Sequence, residues 1–398
     1  MQVLGVILHI LLAVLVILVM VTVHEFGHYL TGKLFKFKIN EFAIGLGPKV
    51  LSKKLKNGEV FSLRALPLGG YCAFEDEGLE GDGQDGKKFE DVFGLDEVSR
   101  DNNTPAAAVR QPPLSREGNF SAVASVEAKP RNFSEQKPWK RIIVLLGGAG
   151  FNLISAVIFS FIFLIAVGYT APRVDGVMVN PDTGIAYNDA QEGDIIIAVD
   201  GRRITPIRSY GDMVSRIPEG RSFTLTVIRD GEEQILTTVR QAITDEDGET
   251  FLGIGFTSLS GVSRRTGFGG ALAYSVPFTG EMAVLILRVT GQLFTGGVPL
   301  SEVAGPVGMV SGMAQITMVS WRNFLLLLPL IAANFAIFNL LPIPALDGSR
   351  VIFATIEWIR GKPVPRHIEN IIHTAGFFVI IGLVLLIITP LDIMRLIR

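Results

Sequence analysis

The 398-residue chain carries little charge for its length. Charged residues make up 19 % of the sequence, below the roughly 25 % typical of soluble domains, while hydrophobic residues make up 48 %. Charge is absent from four stretches that approach or exceed the roughly 20 residues needed to cross a bilayer. These stretches are Val3–Val23, Ile142–Pro172, Phe324–Leu346 and Thr374–Leu391. The composition excludes an ordinary soluble enzyme and predicts a polytopic α-helical membrane protein with about four transmembrane helices.

Cysteine is nearly absent, and the net charge is close to zero. Cys72 is the single cysteine, so no intramolecular disulfide can form. The net charge of −2 lacks the basic excess of nucleic-acid-binding domains, and we expect no nucleic-acid partner. The first span lacks the basic n-region and the small-residue cleavage site of a signal peptide, which favours a retained helix.

Lysine and arginine cluster after the first span, before the second, and between the third and fourth. Because such residues are enriched in cytoplasmic loops, these segments are predicted to be cytoplasmic and both termini to lie outside. A bacterial inner (plasma) membrane is the expected location, since no transit-like segment precedes the first span. A fifth apolar stretch, Ala271–Leu287, contains Pro277 and Glu281, and we interpret it as an interfacial or amphipathic helix.

The polar segments divide the chain into six regions. Residues 41–74 contain β-prone runs around a turn and predict a hairpin, and residues 75–138 have the acidic, Gly- and Pro-containing composition of a flexible insertion. The predicted regions are 1–74 (first transmembrane helix and β-hairpin), 75–138 (cytoplasmic insertion), 139–172 (second transmembrane helix), 173–260 (β-rich extracytoplasmic domain), 261–320 (interfacial helices) and 321–398 (third and fourth transmembrane helices).

The β-rich region contains EGDIIIAVDG, GRSFTLTVIRDG and FLGIGF. In these segments it resembles PDZ domains, which bind extended peptides by adding a strand to a sheet edge. The resemblance implies an inserted PDZ-like domain that docks a peptide, filters substrates by size, or does both. A folded spacer that restricts access without binding anything is the alternative.

Titratable residues stand at the end of the first span, in VTVHEFGHYL. His24 and His28 are four residues apart, which places both imidazoles on one face of a helix where they can share a Zn²⁺ ion. Glu25 lies beside this pair and is placed to act as general base on a water that the ion activates. Ionisable groups at membrane depth are costly and usually functional. His9, alone in the same span, is interpreted as a packing or hydrogen-bonding residue.

A hydrolytic zinc site needs a third protein ligand. Glu41 is one candidate, because soluble HExxH enzymes often take this ligand from a nearby downstream segment. Asp347 is the preferred candidate, because it follows Pro342 and Pro344, which cannot continue a regular helix, at the end of an apolar span. Unwound backbone at membrane depth is tolerated where it is buried in protein or lines a cavity. A plain cytoplasmic turn would explain Asp347 but not the Asn339 and prolines before it.

HEFGH after a first span and NLLPIPALDG in a later one resemble the site-2 protease family of intramembrane zinc metalloproteases. PLGGY at 67–71 and GGAGFN at 147–152 resemble two further family segments. The PDZ-like region between the second and third spans makes the regulator-of-sigma-E type the most similar subgroup, although some relatives have two such domains where this chain has one. The usual D-G-G is here Asp-Gly-Ser, ending at Ser349, a departure that leaves the ligand in place.

The resemblance implies a role for each site residue. His24, His28 and Asp347 would be the zinc ligands, and Glu25 would be the catalytic acid/base. Asn339 and Asn152 would contact the substrate. The hairpin would be membrane-associated and would present the substrate in extended form.

The predicted function is that of a zinc-dependent intramembrane endopeptidase. Its expected partners are the lipid bilayer and single-span membrane proteins, such as membrane-tethered anti-sigma factors or remnant signal peptides. One alternative is a membrane adaptor or chaperone with a structural metal, working through its PDZ-like domain. Another is a peptidase of soluble peptides with Glu41 as third ligand.

Overall fold

The computed structural model describes residues 2–76, 130–180, 183–244, 250–299 and 303–397. Most of the predicted insertion at 75–138 lies outside these residues. The helices are α1 (Gln2–Leu34), α2 (Pro138–Ala166), α3 (Tyr210–Ser215), α4 (Gly267–Phe294), α5 (Pro306–Val319), α6 (Trp321–Leu340), α7 (Asp347–Arg360), α8 (Arg366–Leu383) and α9 (Thr389–Ile397). The strands are β1 (Ile39–Lys54), β2 (Val60–Phe74), β3 (Tyr169–Pro172), β4 (Gly176–Val177), β5 (Ile195–Val199), β6 (Arg202–Arg203), β7 (Ser222–Arg229), β8 (Glu232–Val239), β9 (Gln241–Thr244), β10 (Thr250–Gly253), β11 (Phe256–Thr257) and β12 (Gly261–Arg264).

The predicted spans correspond to helices with shifted ends. The first helix continues to Leu34, eleven residues beyond the predicted span, and carries the histidines with it. The second ends at Ala166, and the apolar residues after Gly168 form β3 instead. A side chain at Gly168 would place its Cβ 2.0 Å from the Arg264 carbonyl oxygen, because β3 pairs with β12 at this point. The third ends at Leu340, so the chain is unwound at Pro342 and Pro344 as predicted.

Among the described residues, five helices are long and apolar enough to cross a membrane, one more than the predicted four. They include Gly267–Leu293 of α4, together with Gly5–Leu34, Pro138–Ala166, Trp321–Leu340 and His367–Leu386. Pro277 lies inside α4 without ending it. The apolar stretch at 271–287 is therefore part of a longer helix than the sequence indicated.

α4 packs on α2 through aromatic and hydroxyl contacts. Phe268 contacts Phe161 and Phe278 stacks on Phe163, with ring centroids 5.4 and 5.7 Å apart, and the Ser160 and Thr279 hydroxyls are 2.8 Å apart. The interfacial placement of this segment stays a prediction.

Close packing of α1 against α2 depends on glycine. A Cβ on Gly27 would lie 2.4 Å from the Gly147 carbonyl oxygen, and a Cβ on Gly147 would lie 2.5 Å from the Thr31 hydroxyl. Small residues at such crossings let helix backbones approach closely in a membrane. The contact brings the histidine-bearing end of α1 directly against α2.

The hairpin packs beside the same end of α1. β1 and β2 are both bent, so that residues 41–44 of β1 are flanked by residues 60–63 on one side and 70–73 on the other. Gly45 and Gly69 have φ of +85° and +92°, which glycine adopts without steric cost. Residues 60–63 and 70–73 of β2 thus share the same stretch of β1.

The strand-rich unit between α2 and α4 has its own apolar core. Its largest sheet has the order β6–β5–β7–β8, and the buried side chains include Ile196, Leu225 and Val227. The short helix α3 packs on this core through Tyr210 and Val214. The unit supports the predicted β-rich insertion, and its PDZ-like character stays a prediction.

Two polar contacts fasten α5 to the bundle. His9 Nδ1 lies 3.0 Å from the Thr317 hydroxyl, which confirms its interpretation as a hydrogen-bonding residue. At the other end, the buried Asp392 carboxylate of α9 accepts hydrogen bonds from the N–H groups of Gly305 and Gly308, at 3.2 and 2.7 Å. The carboxylate thus satisfies backbone donors that the start of α5 leaves unpaired.

Candidate metal centre

His24 and His28 are buried on the face of α1 that meets α2, with 6 % and 7 % of their surface exposed. The helix places them one turn apart, and their Nε2 atoms are 3.2 Å from each other. Each ring is also held at Nδ1. His28 Nδ1 lies 2.9 Å from the Val144 carbonyl oxygen, and His24 Nδ1 lies 3.3 Å from the side-chain amide of Asn152.

Asp347 reaches the histidines because the chain turns sharply after α6. Gly348 fits directly beneath the end of α6, where a Cβ would lie 2.3 Å from the Leu341 carbonyl oxygen. The first turn of α7 is closed by Ser349, whose hydroxyl donates to the Leu346 carbonyl at 2.7 Å. Serine in place of the family's second glycine therefore fits this turn.

A buried ion pair fixes α7 against α2. Arg141 donates to the Glu357 carboxylate at 2.7 Å, and both side chains are more than four-fifths buried. Since Arg141 precedes the part of α2 that meets the histidines, this pair sets the position of the helix that begins with Asp347.

The three side chains converge on one point. Asp347 Oδ2 lies 2.8 Å from His24 Nε2 and 3.2 Å from His28 Nε2. A carbonyl oxygen can accept a hydrogen bond but cannot donate one, so His28 Nδ1 carries the proton toward Val144 and its Nε2 presents a lone pair. That lone pair faces a carboxylate oxygen, an arrangement that is repulsive unless a cation or a proton lies between them.

The geometry fits a zinc ion. Bonds of about 2.0–2.2 Å in tetrahedral coordination separate neighbouring ligand atoms by roughly 3.4 Å, and the three distances here are within about 0.6 Å of that value. Two imidazoles and one carboxylate also match the donor set of catalytic zinc sites, which leave the fourth position open. These atoms form the one group of three or more candidate metal-binding side chains among the residues that the structure describes.

Glycine makes room for the imidazoles on α2. A Cβ on Gly148 would lie 2.4 Å from His28 Nε2 and 2.6 Å from His24 Cε1. Such distances are not tolerated between packed atoms, so any larger residue at this position would displace the rings. Gly148 is therefore part of the site although it offers no ligand atom.

Glu25 lies between the histidines and β2. Its carboxylate accepts a hydrogen bond from the Cys72 N–H, and its Cγ lies within 3.4 Å of the position that a Cβ on Gly70 would occupy. The carboxylate is thus held next to the convergence point by the strand that borders it. This places a proton acceptor beside a metal-binding group, as hydrolysis requires.

Comparison with known proteins places this chain in a family. The profile of peptidase family M50 matches residues 12–383. The chain belongs to peptidase family M50. This is the site-2 protease family that the motifs resemble, and the predicted metalloendopeptidase class is confirmed.

Two relatives of this M50 peptidase match over nearly their whole length. The zinc metalloprotease RasP of Oceanobacillus iheyensis is 26 % identical over 95 % of this chain and 97 % of the relative. The regulator of sigma-W protease RasP of Bacillus subtilis is 29 % identical over 94 % of this chain and 95 % of the relative. With the His, His and Asp donor set described above, these matches give Zn²⁺ as the cofactor of the M50 peptidase, as predicted.

The other predicted site residues differ in their placement. Asn152 is fully buried and contacts His24, so it lies behind the imidazole rather than on an open surface. Asn339 is on α6, and its amide donates to the carbonyl of Phe335 in its own helix at 3.0 Å. Their substrate-binding roles stay predictions.

Glu41, the alternative third ligand, is engaged elsewhere in the M50 peptidase. Its carboxylate accepts from the Ser62 hydroxyl at 2.5 Å and lies 3.3 Å from Arg64 and 3.5 Å from Lys49. Burial raises the pKa of Glu41, but the Ser62 hydrogen bond and the two cations outweigh it and lower the pKa below its usual value. The structure does not bring Glu41 to the histidines, which argues against the Glu41 alternative.

Sequence reasoning missed three contributors. Gly148 stands in the quoted GGAGFN segment, where a pair of glycines in a membrane helix signals close packing. The Val144 carbonyl is a backbone group, for which no residue type gives a signal. Arg141 belongs to the basic cluster predicted before the second span, and its pairing with Glu357 depends on how two distant helices meet.

Proposed function

We propose that this M50 peptidase cleaves single-span membrane proteins within or near the bilayer, toward the cytoplasmic face of a bacterial inner membrane. The proposed substrates are membrane-tethered regulators, such as anti-sigma factors, and remnant signal peptides. The observation that carries the proposal is the convergence of His24, His28 and Asp347 beside Glu25, at the end of a helix able to span a membrane. One relative is named a regulator of sigma-W protease, which agrees with a regulator as substrate.

In this proposal His24, His28 and Asp347 hold the zinc ion. When bound, the ion supplies Lewis-acid chemistry, which polarises a carbonyl group and makes a water more acidic. Glu25 accepts the proton of the attacking water and returns it to the leaving amide nitrogen. The Cys72 N–H orients the Glu25 carboxylate for both transfers.

The edge of β2 is proposed to hold the substrate. Adjacent residues of a strand direct their N–H and C=O groups to opposite sides, and the Cys72 N–H points toward Glu25. Gly70, two residues earlier, therefore offers its backbone groups on the same edge. A helical substrate hides its carbonyls in internal hydrogen bonds and must unwind before hydrolysis. Pairing with this edge replaces the hydrogen bonds that unwinding breaks.

The strand-rich domain is proposed to act outside the membrane as a docking site or size filter. Its PDZ-like segments lie on the sheet β5–β7 and at β10–β11. A groove in the domain is lined by Tyr210 and Val214 of α3 and by Ile254 and Phe256. An apolar groove between a helix and a strand suits an extended peptide.

Substituting Glu25 with glutamine tests the proposed chemistry. Glutamine keeps the size of the side chain but cannot act as a general base. Cleavage of a reporter, a single-span membrane protein already cut back on its outer side, should therefore fall about 10²- to 10⁴-fold. Zinc content should stay at the level of the unchanged protein. Glu281→Gln, a matched change at an exposed position of α4, should leave both quantities unchanged.

Reporter cleavage at the normal rate in Glu25→Gln would overturn the mechanism. If Glu25→Gln kept full cellular function while deletion of residues 173–260 abolished it, the adaptor alternative would replace the proposal. Loss of zinc in Glu25→Gln would assign the residue a ligand role instead.

A further inference from the structure

The loop 341–346, between α6 and the metal ligand Asp347, has a backbone shape that needs support. Ala345 has φ of +74°, a left-handed conformation that costs a residue with a side chain about 1–2 kcal/mol. Such a conformation persists where contacts with the surrounding structure hold it in place. Because Ala345 lies two residues before Asp347, its conformation sets the direction in which the carboxylate leaves the loop.

The backbone donors of this loop can all be accounted for. Pro342 and Pro344 have no N–H group. The Leu341 N–H donates to a carbonyl oxygen in the last turn of α6, and the N–H groups of Ile343 and Leu346 donate to carbonyl oxygens within the loop, all at 2.8–3.1 Å. The remaining donor, the Ala345 N–H, donates to His373 Nδ1 at 3.1 Å. A side chain of α8 therefore completes the hydrogen bonding of the loop that presents Asp347.

The surroundings of His373 hold it against the loop. Gly376, one turn further along α8, abuts Pro344 so closely that an added Cβ would lie 2.1 Å from the Pro344 Cβ. The His373 ring also contacts Phe353 of α7, with centroids 5.7 Å apart. The imidazole is thus placed between the loop and the helix that Asp347 begins.

The hydrogen bond defines the protonation state of the ring. A backbone N–H can donate only, so Nδ1 must present its lone pair and the proton of a neutral imidazole lies on Nε2. Protonation of Nδ1 would set two donors against each other. Neutral His373 is therefore the form that fits the loop.

We propose that His373 is a positioning residue for the zinc ligand Asp347. By accepting the Ala345 hydrogen bond, it holds the left-handed turn that directs the carboxylate toward His24 and His28. This inference rests on the proposed metal centre and adds a contribution from α8, which supplies no ligand. The positioning role requires a hydrogen-bond acceptor where Nδ1 lies, and a side chain other than imidazole can supply that acceptor.

The test compares three substitutions in the full-length protein. In asparagine, Oδ1 is attached to Cγ as Nδ1 is in histidine, so His373→Asn keeps an acceptor near the required position. In His373→Gln the amide lies one bond further out, and His373→Leu has no acceptor. The leucine and glutamine variants should bind zinc about tenfold more weakly in competition with a chelator, the lower end of the effect of removing a supporting hydrogen bond. The asparagine variant should bind zinc nearly as well as the unchanged protein.

Two further readouts separate positioning from general stability. His367→Leu, a matched change at an exposed position of the same helix, should leave zinc affinity unchanged. Reporter cleavage at saturating zinc should show a lower kcat with a similar KM in the leucine variant. Equal zinc affinity in the asparagine and glutamine variants, or an unaltered affinity in the leucine variant, would overturn the inference. Zinc affinity is measured without substrate, so these results are independent of whether the proposed proteolysis is correct.

Discussion

Two buried aspartates of this chain are stabilised in different ways. In the strand-rich domain, Asp194 is 1 % exposed, and its two oxygens accept from Arg229 at 2.8 and 2.6 Å. At the start of α7, the ion pairs of Asp347 are made with two imidazoles. The guanidinium of Arg229 carries a permanent charge, whereas an imidazole is charged only when protonated. Asp194 is neutralised by the protein itself, and Asp347 is arranged for a cation from outside.

The difference separates a structural carboxylate from a functional one. A buried carboxylate with a fixed bidentate partner completes its own site and needs nothing more. Burial raises the pKa of Asp194, but hydrogen bonds from Arg229 and the Gln191 N–H outweigh it and lower the pKa. At the metal centre, three acceptor atoms meet instead, and ligands of this kind must be deprotonated to bind a metal.

The largest expected effect comes from removing the Asp347 carboxylate. Asp347→Ala removes one of the three proposed zinc ligands, and zinc content should fall from about one ion per chain to near none. Reporter cleavage should be lost with it. Metal analysis of the purified protein measures the first quantity. Retention of zinc in Asp347→Ala would show that the third ligand is elsewhere.

Removing the partner of Asp194 in the strand-rich domain should leave zinc bound, in contrast to Asp347→Ala. Arg229→Met leaves the buried Asp194 carboxylate without its charged partner. Removing one partner of a buried pair lowers the free energy of unfolding by about 3–5 kcal/mol. Hydrogen exchange in residues 195–239 should become faster while zinc content is unchanged. Because the folded-state pKa of Asp194 is lowered, the pair stabilises the domain above the unfolded pKa of about 3.9. This stabilisation is lost as pH falls through the folded value.

The three side chains that converge at the candidate metal centre could be predicted from the sequence because each has a local signal. The spacing of His24 and His28 defines a helix face, and Pro342 and Pro344 mark the break before Asp347. The packing around the ligands could not be predicted in this way. Gly148 matters because α2 crosses α1 at that level, and the crossing is set by contacts between residues more than 100 positions apart.

The fold shows the same division between local and distant information. The apolar spans predicted the main helices, but composition did not distinguish the end of α2 from β3, since short apolar runs suit both. The sequence predicts an interruption at Pro277, whereas α4 continues through it. Tertiary contacts with α2 at Phe268 and Phe278 support the longer helix.

A smaller effect is expected from a change that adds one methyl group behind the ligands. Gly148→Ala places a Cβ against both imidazoles and should weaken zinc binding by about 1–3 kcal/mol, the usual cost of overpacking. Gly150, two residues away on α2, has no atom within 4 Å of an added Cβ. Gly150→Ala should leave zinc affinity unchanged and stabilise the helix by up to about 1 kcal/mol. Equal zinc affinities in the two variants would contradict the close packing of α2 on the histidines.

The smallest effect concerns the direction of the hydrogen bond between His24 and Asn152. Zinc on Nε2 leaves the His24 proton on Nδ1, so the group that faces it must be an acceptor. Side-chain amide oxygen and nitrogen are assigned from the hydrogen-bond network, and this argument places Asn152 Oδ1 toward His24. The amide nitrogen is then a buried donor, and its predicted contact with the substrate stays open.

Two substitutions at Asn152 distinguish the possibilities. Asn152→Leu removes the acceptor and should weaken zinc binding about tenfold, the lower end of the effect of losing such a partner. Asn152→Asp keeps an acceptor and removes the donor, so it should bind zinc at least as tightly as the unchanged protein, because carboxylates support zinc-bound histidines well. If asparagine instead donated to His24, the aspartate variant would bind zinc as weakly as the leucine variant. The aspartate variant also lacks the amide nitrogen of asparagine. A raised KM for the reporter with intact zinc binding would therefore support a contact between that nitrogen and the substrate.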